Sequence, residues 1–220
     1  MTDVLRFRAE AFSAATLIDA IGEVYPHRAH ILDLVSPTPG RKIFGRAVTV
    51  RYIPHRSDMA VDDELSFARF FYNAIGEGAE GAVLVLDSSG QHEVSIGGGV
   101  KFSRLHNHRL AGLITDARIR DFEEIARLDP VFYCRGEALR AGGGDLMPIA
   151  ANVPVSLYGT TVLPGDYVYA DTSGVVVMPS GNLEEILETA ARLDREERAS
   201  LSAIREEDPL KLGKTATGKS

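Results

Sequence analysis

Leu17, Ile18 and Ile21 fall on one face at helical spacing, and Ser13 stands where its side chain can cap a first turn, so residues 13–22 predict a short helix. The turn-favouring run Ser36-Pro37-Thr38-Pro39-Gly40 leads into KIFGRAVTVRYI, residues 42–53, whose β-branched content predicts a strand that Pro54 ends. Residues 62–77 carry Leu65, Phe67, Ala68, Phe70, Phe71, Ala74 and Ile75, a stripe broad enough for a helix packed on a sheet, and the glycines of GEGAEG stop it. Phe67, Phe70 and Phe71 read most simply as core, or as contacts between subunits.

Gly81 to Asp87, GAVLVLD, is a continuous apolar run ending in an acid, the pattern of a strand buried on both faces with a functional loop, SSGQ, at its carboxyl end. A second such unit follows: the glycine-rich IGGGVKFS, a polar helix through His108, AGLITDA as strand and RDFEEIARL as helix. This is β-α-β-α alternation. From Pro130 the pattern changes to short β-rich pieces, VFYC, NVPVSLYG, TTVLPGDYVYAD and GVVVMP, before one long closing helix over residues 181–207. The fold class is mixed α/β.

With 220 residues, 45% apolar and 25% charged, the chain is neither disordered nor collagen-like and predicts one domain over residues 1–207, followed by a tail, 208–220. No stretch approaches the roughly 18–20 apolar residues of a membrane span, and MTDVLRFRAE lacks a signal peptide's apolar centre, so a cytoplasmic protein without a membrane partner is expected. Cys134 is the single cysteine and is expected only to pack. A net charge of −7 with scattered basic residues argues against a nucleic-acid partner and for a small molecule.

Gly97-Gly98-Gly99 ahead of a helix either forms a flexible turn or lets the backbone approach an anion. Asp121, with Glu124 three residues on, has the spacing of a capping box, which would leave Arg120 as a surface side chain. Yet Arg120 and Asp121 directly follow a buried strand, where open α/β sheets bind ligands, and the glycine loop lies behind the preceding strand. An arginine to clamp a carboxylate and an aspartate to hold a hard divalent ion would suit a metal-chelated 2-oxo acid. His106 and His108 read as solvated helix-face residues, Asp166 and Asp171 as turn-shaping, and Asp116 either as support for the site or as a strand-end turn carboxylate.

The run AGLITDARIRDFEEIARLDPVFYCRG, followed by NVPVSLYGTTVLPGDYVYADTSGVVVMP, resembles the RraA-like family, which includes class II aldolases acting on 4-hydroxy-4-methyl-2-oxoglutarate and 4-carboxy-4-hydroxy-2-oxoadipate. The resemblance spans residues 15–190. Its most specific parts are Arg120-Asp121 with Glu124, the VPV segment, and the PGD…AD..GVVV..P block. It implies stacked sheets flanked by helices, an α/β/β/α sandwich similar to a swivelling phosphohistidine domain, in homotrimers or hexamers with active sites between subunits. It also implies that Arg120 binds a pyruvate moiety, that Asp121 holds Mg²⁺ or Mn²⁺, and that a backbone-amide loop of Gly98, Gly99, Val100 and Lys101 holds the substrate.

Aldolases of the family carry an acid, then twenty residues, then Arg-Asp; the corresponding position here is Gly99. Lys101, Arg104, His92, His106 and His108 are the nearby residues that could make up for that carboxylate. The expected function is a divalent-metal-dependent carbon–carbon lyase on a 2-oxo acid, by aldol cleavage or by oxaloacetate-type decarboxylation, with pyruvate released. Decarboxylation, which needs no base for a carbinol hydroxyl, should tolerate the loss at residue 99 better. The alternatives are a non-catalytic regulator resembling the inhibitor of RNase E, or an enzyme for another sugar acid.

Overall fold

The structure, a computed structural model, describes residues 2–59 and 65–208. Its centre is an eight-stranded mixed sheet in the order β1 (His30–Ile31), β13 (Gly174–Met178), β12 (Tyr167–Asp171), β2 (Ile43–Pro54), β3 (Val83–Asp87), β5 (Gly112–Thr115), β7 (Val131–Tyr133), with β9 (Leu146–Ala151) also pairing β2. The pairs from β2 through β3 and β5 to β7 are parallel, and those from β2 through β12 and β13 to β1 antiparallel. β3 is buried at every position, as its unbroken apolar run requires of a strand covered on both faces. β2 carries both halves: its first residues pair with β12 and its last with β9, where an irregularity between the partners of Arg51 and Tyr52 skips Ile149 beside Pro148.

One face of this sheet is covered by helices. Helices α1 (Thr2–Glu10), α2 (Ala14–Val24) and α6 (Leu183–Arg205) pack Leu17, Ile21, Ile186 and Leu187 on Phe44, Tyr169, Val176 and Met178. Helices α3 (Phe67–Ile75) and α4 (Gly99–Asn107) pack Phe67, Phe71, Phe102 and Leu105 on Val50, Leu84, Leu86 and Leu113. The opposite face, with Val83, Val85, Ile114, Val168 and Ala170, is closed by the hairpin β10 (Val155–Leu157) and β11 (Thr160–Val162). Alternation along β3 and β12 divides their side chains between the two cores.

A separate parallel sheet of three short strands, β4 (Ser95–Gly97), β6 (Arg118–Ile119) and β8 (Gly136–Glu137), lies beside the main one. Sequence patterning does not show it: IGGG reads as loop and ARIRD as strand end and helix start. Its pairing sets Gly97 opposite Ile119, and Arg120 N–H continues the ladder to Gly97 O at 2.8 Å. The glycine segment and the Arg-Asp step are therefore brought together by this small sheet, and not simply by adjacent strand ends of the large one.

Ser13 caps α2 as expected, its Oγ accepting from Thr16 N–H. Helix α3 begins later than the stripe suggests, because Ser66 caps it through Arg69 N–H; residues 62–64 of the predicted helix lie outside the described residues, as do 209–220 of the predicted tail. α1 and β9 are elements that patterning does not reveal. Phe67 and Phe71 are core, Asp166 accepts from Leu163 N–H within its turn, and Asp171 accepts from Ser173 N–H and also from Ala14 N–H at the start of α2. Cys134 is buried, and burial pushes its thiol up to about 12. Among the described residues no helix is long and apolar enough to cross a membrane.

Candidate functional site

The three glycines are explained by what faces them. None has a positive φ, so backbone freedom is not the reason. A Cβ at Gly97 would overlap the buried Phe102 ring, one at Gly98 the Asp121 carboxylate, and one at Gly99 the carboxylate of Glu124. Each lets one side chain lie directly against the backbone. Gly98 is the N-cap of α4 and offers no side chain to it; the cap is supplied from a distance, as Asp121 Oδ2 accepts from Gly99 N–H at 3.0 Å. The expected backbone loop is thus partly a first helical turn, with Gly99, Val100 and Lys101 inside α4.

Asp121 does not cap its own helix. Its backbone is left-handed, φ 64° and ψ 45°, its side chain makes no capping bond, and the Phe122 N–H is taken by Glu137 Oε1 at 3.0 Å. The left-handed turn, which aspartate tolerates better than most residues, directs the carboxylate away from helix α5 (Phe122–Ile125) and onto α4. Glu124, freed from a capping box, lies over Gly99. The sequence signal for this arrangement is the glycine run itself, read against Asp121 and Glu124, 22 and 25 residues after Gly99.

A cavity of about 150 Å³ opens here, lined by Ser95, Gly97, Gly98, Val100, Lys101, Arg120 and the segment Ala141–Gly143. Four of the expected site residues, Gly98, Val100, Lys101 and Arg120, form its wall; Gly99 and Asp121 stand behind Gly98. The Ala141–Gly143 wall was overlooked in the sequence, although the second glycine run, 142–144, marks it. Arg120 is 37% exposed, with its guanidinium 3.9 Å from Asp121 Oδ2. Lys101 Nζ donates to Ile96 O at 3.2 Å and stands over the Phe67 ring. Burial holds Lys101 below the usual lysine range, and the neighbouring Arg120 and Arg104 add to that. Two cations, together with first-turn N–H groups that have no acceptor within their own helix, give this cavity the chemistry that would suit an anion.

Asp121 and Glu124 are hard oxygen donors. Among the described residues no group of three or more His, Cys, Asp or Glu is placed to hold a metal. Mg²⁺ and Mn²⁺ are often held by one or two carboxylates, with substrate and water completing the shell, so the donor set fits such an ion shared with a chelating ligand.

The histidines are elsewhere. His92 pairs with Asp116 at 3.3 Å and stacks on Tyr158, His106 pairs with Asp129 at 3.2 Å, and His108 packs edge-on to Tyr72 and Phe71. None of them lines the cavity, and neither do Arg104 or Asp116.

A family model described as RraA-like (Aldolase/RraA) matches residues 14–177. A protein of Halalkalibacterium halodurans, provisionally named a 4-hydroxy-4-methyl-2-oxoglutarate aldolase, is 30% identical over 150 residues, 66% of this chain and 67% of that one. The protein DlpA of Legionella pneumophila is 25% identical over 79% of this chain, which spans only 27% of DlpA's length. Among solved structures, Streptomyces coelicolor RraAS2, described as an unusual member of the RNase ES inhibitor RraA protein family, superposes with a TM-score of 0.77 at 28% identity, over 89% of this chain and 94% of that one.

Proposed function

The chain belongs to the RraA-like family, and on that premise we propose that it is a divalent-metal-dependent carbon–carbon lyase acting on a 2-oxo acid and releasing pyruvate. One observation carries this: Arg120, Lys101 and the first turn of α4 face a single cavity against which Asp121 is fixed. The names of relatives such as the H. halodurans protein point the same way.

In this mechanism the Arg120 guanidinium pairs with the substrate carboxylate, and the N–H groups of Val100 and Lys101 face the oxygens on which negative charge develops. Asp121, with Glu124 beside it, would hold Mg²⁺ or Mn²⁺; such an ion supplies Lewis-acid polarisation of the 2-oxo group. In aldol cleavage the C3–C4 bond breaks, its electron pair enters the pyruvate enolate, the carbinol proton leaves as C4 becomes a carbonyl, and C3 takes up a proton. Glu124 provides a carboxylate at the place where aldolases of the family carry theirs on residue 99. Oxaloacetate decarboxylation uses the same electron sink and needs no base for a carbinol. The working assembly is a homotrimer or hexamer, with sites completed between subunits.

The second reading, a regulator of RNA processing, is favoured by the likeness to RraAS2, a member of an RNase ES inhibitor family. The deciding experiment measures pyruvate release from oxaloacetate and from 4-hydroxy-4-methyl-2-oxoglutarate, with Mg²⁺ or Mn²⁺ and with chelator, in wild type and Asp121→Ala. Metal-dependent release that the variant loses is the expected result. No release from either substrate by a folded wild-type protein overturns it.

A further inference from the structure

Glu137 takes no part in the mechanism above. It stands on β8, next to β6 in the three-stranded sheet and in register with Ile119. The residue is exposed, and among the described residues no cation pairs with its carboxylate, which accepts instead from the Phe122 N–H at 3.0 Å. That bond ties the chain on both sides of Asp121 to one small sheet. On one side Arg120 N–H donates to Gly97 O at 2.8 Å. On the other, Glu137 holds the first N–H of α5, whose turn closes as Asp121 O accepts from Glu124 N–H and Ile125 N–H at 3.0 and 2.9 Å. Asp121 bridges the two anchors with φ 64° and ψ 45°. An aspartate at a helix start ordinarily takes extended backbone and caps the helix with its own side chain. The left-handed alternative is disfavoured for any residue with a Cβ and persists where the surroundings impose it.

We infer that Glu137 is a positioning residue: by holding the Phe122 N–H it keeps Asp121 in the left-handed turn, and so keeps the Asp121 carboxylate on Gly99 N–H at the cavity. The competing arrangement is present in the sequence, since Asp121 and Glu124 have capping-box spacing. With Glu137 gone, the first turn of α5 is free to move until Asp121 caps the Glu124 N–H and Glu124 reaches back to the Asp121 N–H. Both carboxylates would then turn onto α5, and Gly99 N–H would lose the acceptor it now has at 3.0 Å. One capping arrangement replaces another, so stability changes little, but the cavity loses its acids. The consequence for a metal rests on the lyase reading, in which Asp121 and Glu124 hold Mg²⁺ or Mn²⁺.

The test compares wild type, Glu137→Ala and Glu137→Gln by amide hydrogen exchange at Gly99, by calorimetric titration with Mn²⁺ and by pyruvate release from oxaloacetate. Glu137→Ala should speed exchange at Gly99 about tenfold or more as the amide loses Asp121 Oδ2. It should also weaken Mn²⁺ binding and lower kcat/KM by about 10–100-fold each, the usual cost of removing a group that orients a metal ligand, with little change in melting temperature. Glu137→Gln keeps an oxygen for the Phe122 N–H and should restore all three readouts to within about threefold. A purely structural role would lower stability and leave Mn²⁺ binding per folded molecule unchanged. That result overturns the inference, as does unchanged exchange at Gly99 in Glu137→Ala or an equal loss in Glu137→Gln. If Glu137→Ala does not fold, Glu137→Asp, which keeps the charge but draws the acceptor back by one methylene, takes its place with the same expected direction and the same overturning results. A wild type that neither binds Mn²⁺ nor releases pyruvate, while Glu137→Ala still speeds exchange at Gly99, brings down the lyase reading and leaves the positioning role standing.

Discussion

Two clusters of acids and bases sit at strand ends on this molecule and use their polar groups in opposite ways. At the ends of β3 and β5, Asp116 takes the Ser88 N–H at 2.9 Å and His92 at 3.3 Å, while Tyr158 stacks on His92 and donates to Asp116 O. Asp87 beside it accepts from Ser89 N–H and Ser156 N–H and faces Arg51. Every carboxylate there is answered from within the protein. At the end of β6, Arg120 has one acid at 3.9 Å, the α4 first turn keeps unanswered donors, and a cavity opens among them. The first cluster looks like a catalytic triad from its composition alone. The answered carboxylates of the first fit a structural role, although Ser88 Oγ stays buried there without a partner among the described residues, and the open donors facing a cavity suit the second to a ligand.

The largest expected effect separates these two. Arg120→Ala should cut pyruvate release by about 100-fold or more, as loss of an electrostatic donor to developing charge commonly does, with little change in melting temperature. Asp116→Ala should do the reverse, costing roughly 1–3 kcal/mol by stranding the buried Ser88 N–H while activity per folded molecule persists. Steady-state kinetics beside denaturant titration of both variants checks it. A stable but inactive Asp116→Ala would move the chemistry to the wrong cluster and break the contrast.

Within the open site a smaller contrast follows from the glycines. Gly98→Ala pushes on the Asp121 carboxylate, which is fixed to Gly99 N–H, and on Arg120 Cβ, so activity should fall about 10–100-fold through misplacement. Gly99→Ala meets only the far end of the exposed Glu124, which can swing aside, so the loss should stay within about tenfold and confine itself to aldol substrates. Kinetics on oxaloacetate and on a 4-hydroxy-2-oxo acid distinguish the two. Similar losses on both substrates for Gly99→Ala would remove Glu124 from the aldol reaction.

How far the sequence foretells these regions differs for a physical reason. The apolar periods of β3, α2 and α6 are local signals, and Ser13 caps α2 as written. The Arg120-Asp121 pair could likewise be singled out, by its place after a buried strand and by family resemblance. Its surroundings could not, because they depend on contacts across the chain. Asp121 and Glu124 have capping-box spacing, and only Glu137, arriving in β8, and the left-handed turn at Asp121 cancel it. The glycines read as flexible until Phe102, Asp121 and Glu124 are seen to occupy the space of their missing side chains. β9 hides behind Pro148, which enters the ladder beside an irregularity at Ile149, the β9 residue skipped between the partners of Arg51 and Tyr52.

The smallest expected effect is a pH signature that distinguishes the clusters without any substrate. Burial is the main cause in both, but it acts on charges of opposite sign. Lys101 lies below its ordinary 10.5, so between its folded value and 10.5 the unfolded chain binds more protons than the native one, and stability rises with pH across that alkaline window. Asp116 lies above its ordinary 3.8, since burial and Asp87 outweigh the hydrogen bond from Ser88 N–H and the charge of His92. Between 3.8 and its folded value the native state therefore binds more protons, and stability falls as pH rises through that acid window. Denaturant titrations across pH should show Lys101→Met losing the alkaline rise alone and Asp116→Asn losing the acid-side fall alone. Profiles that run parallel to wild type would mean that neither charge is held against its preference. A Lys101→Met curve that departs on the acid side would instead tie Lys101 to the carboxylates of Asp121 and Glu124, making the open site a paired network like the closed one.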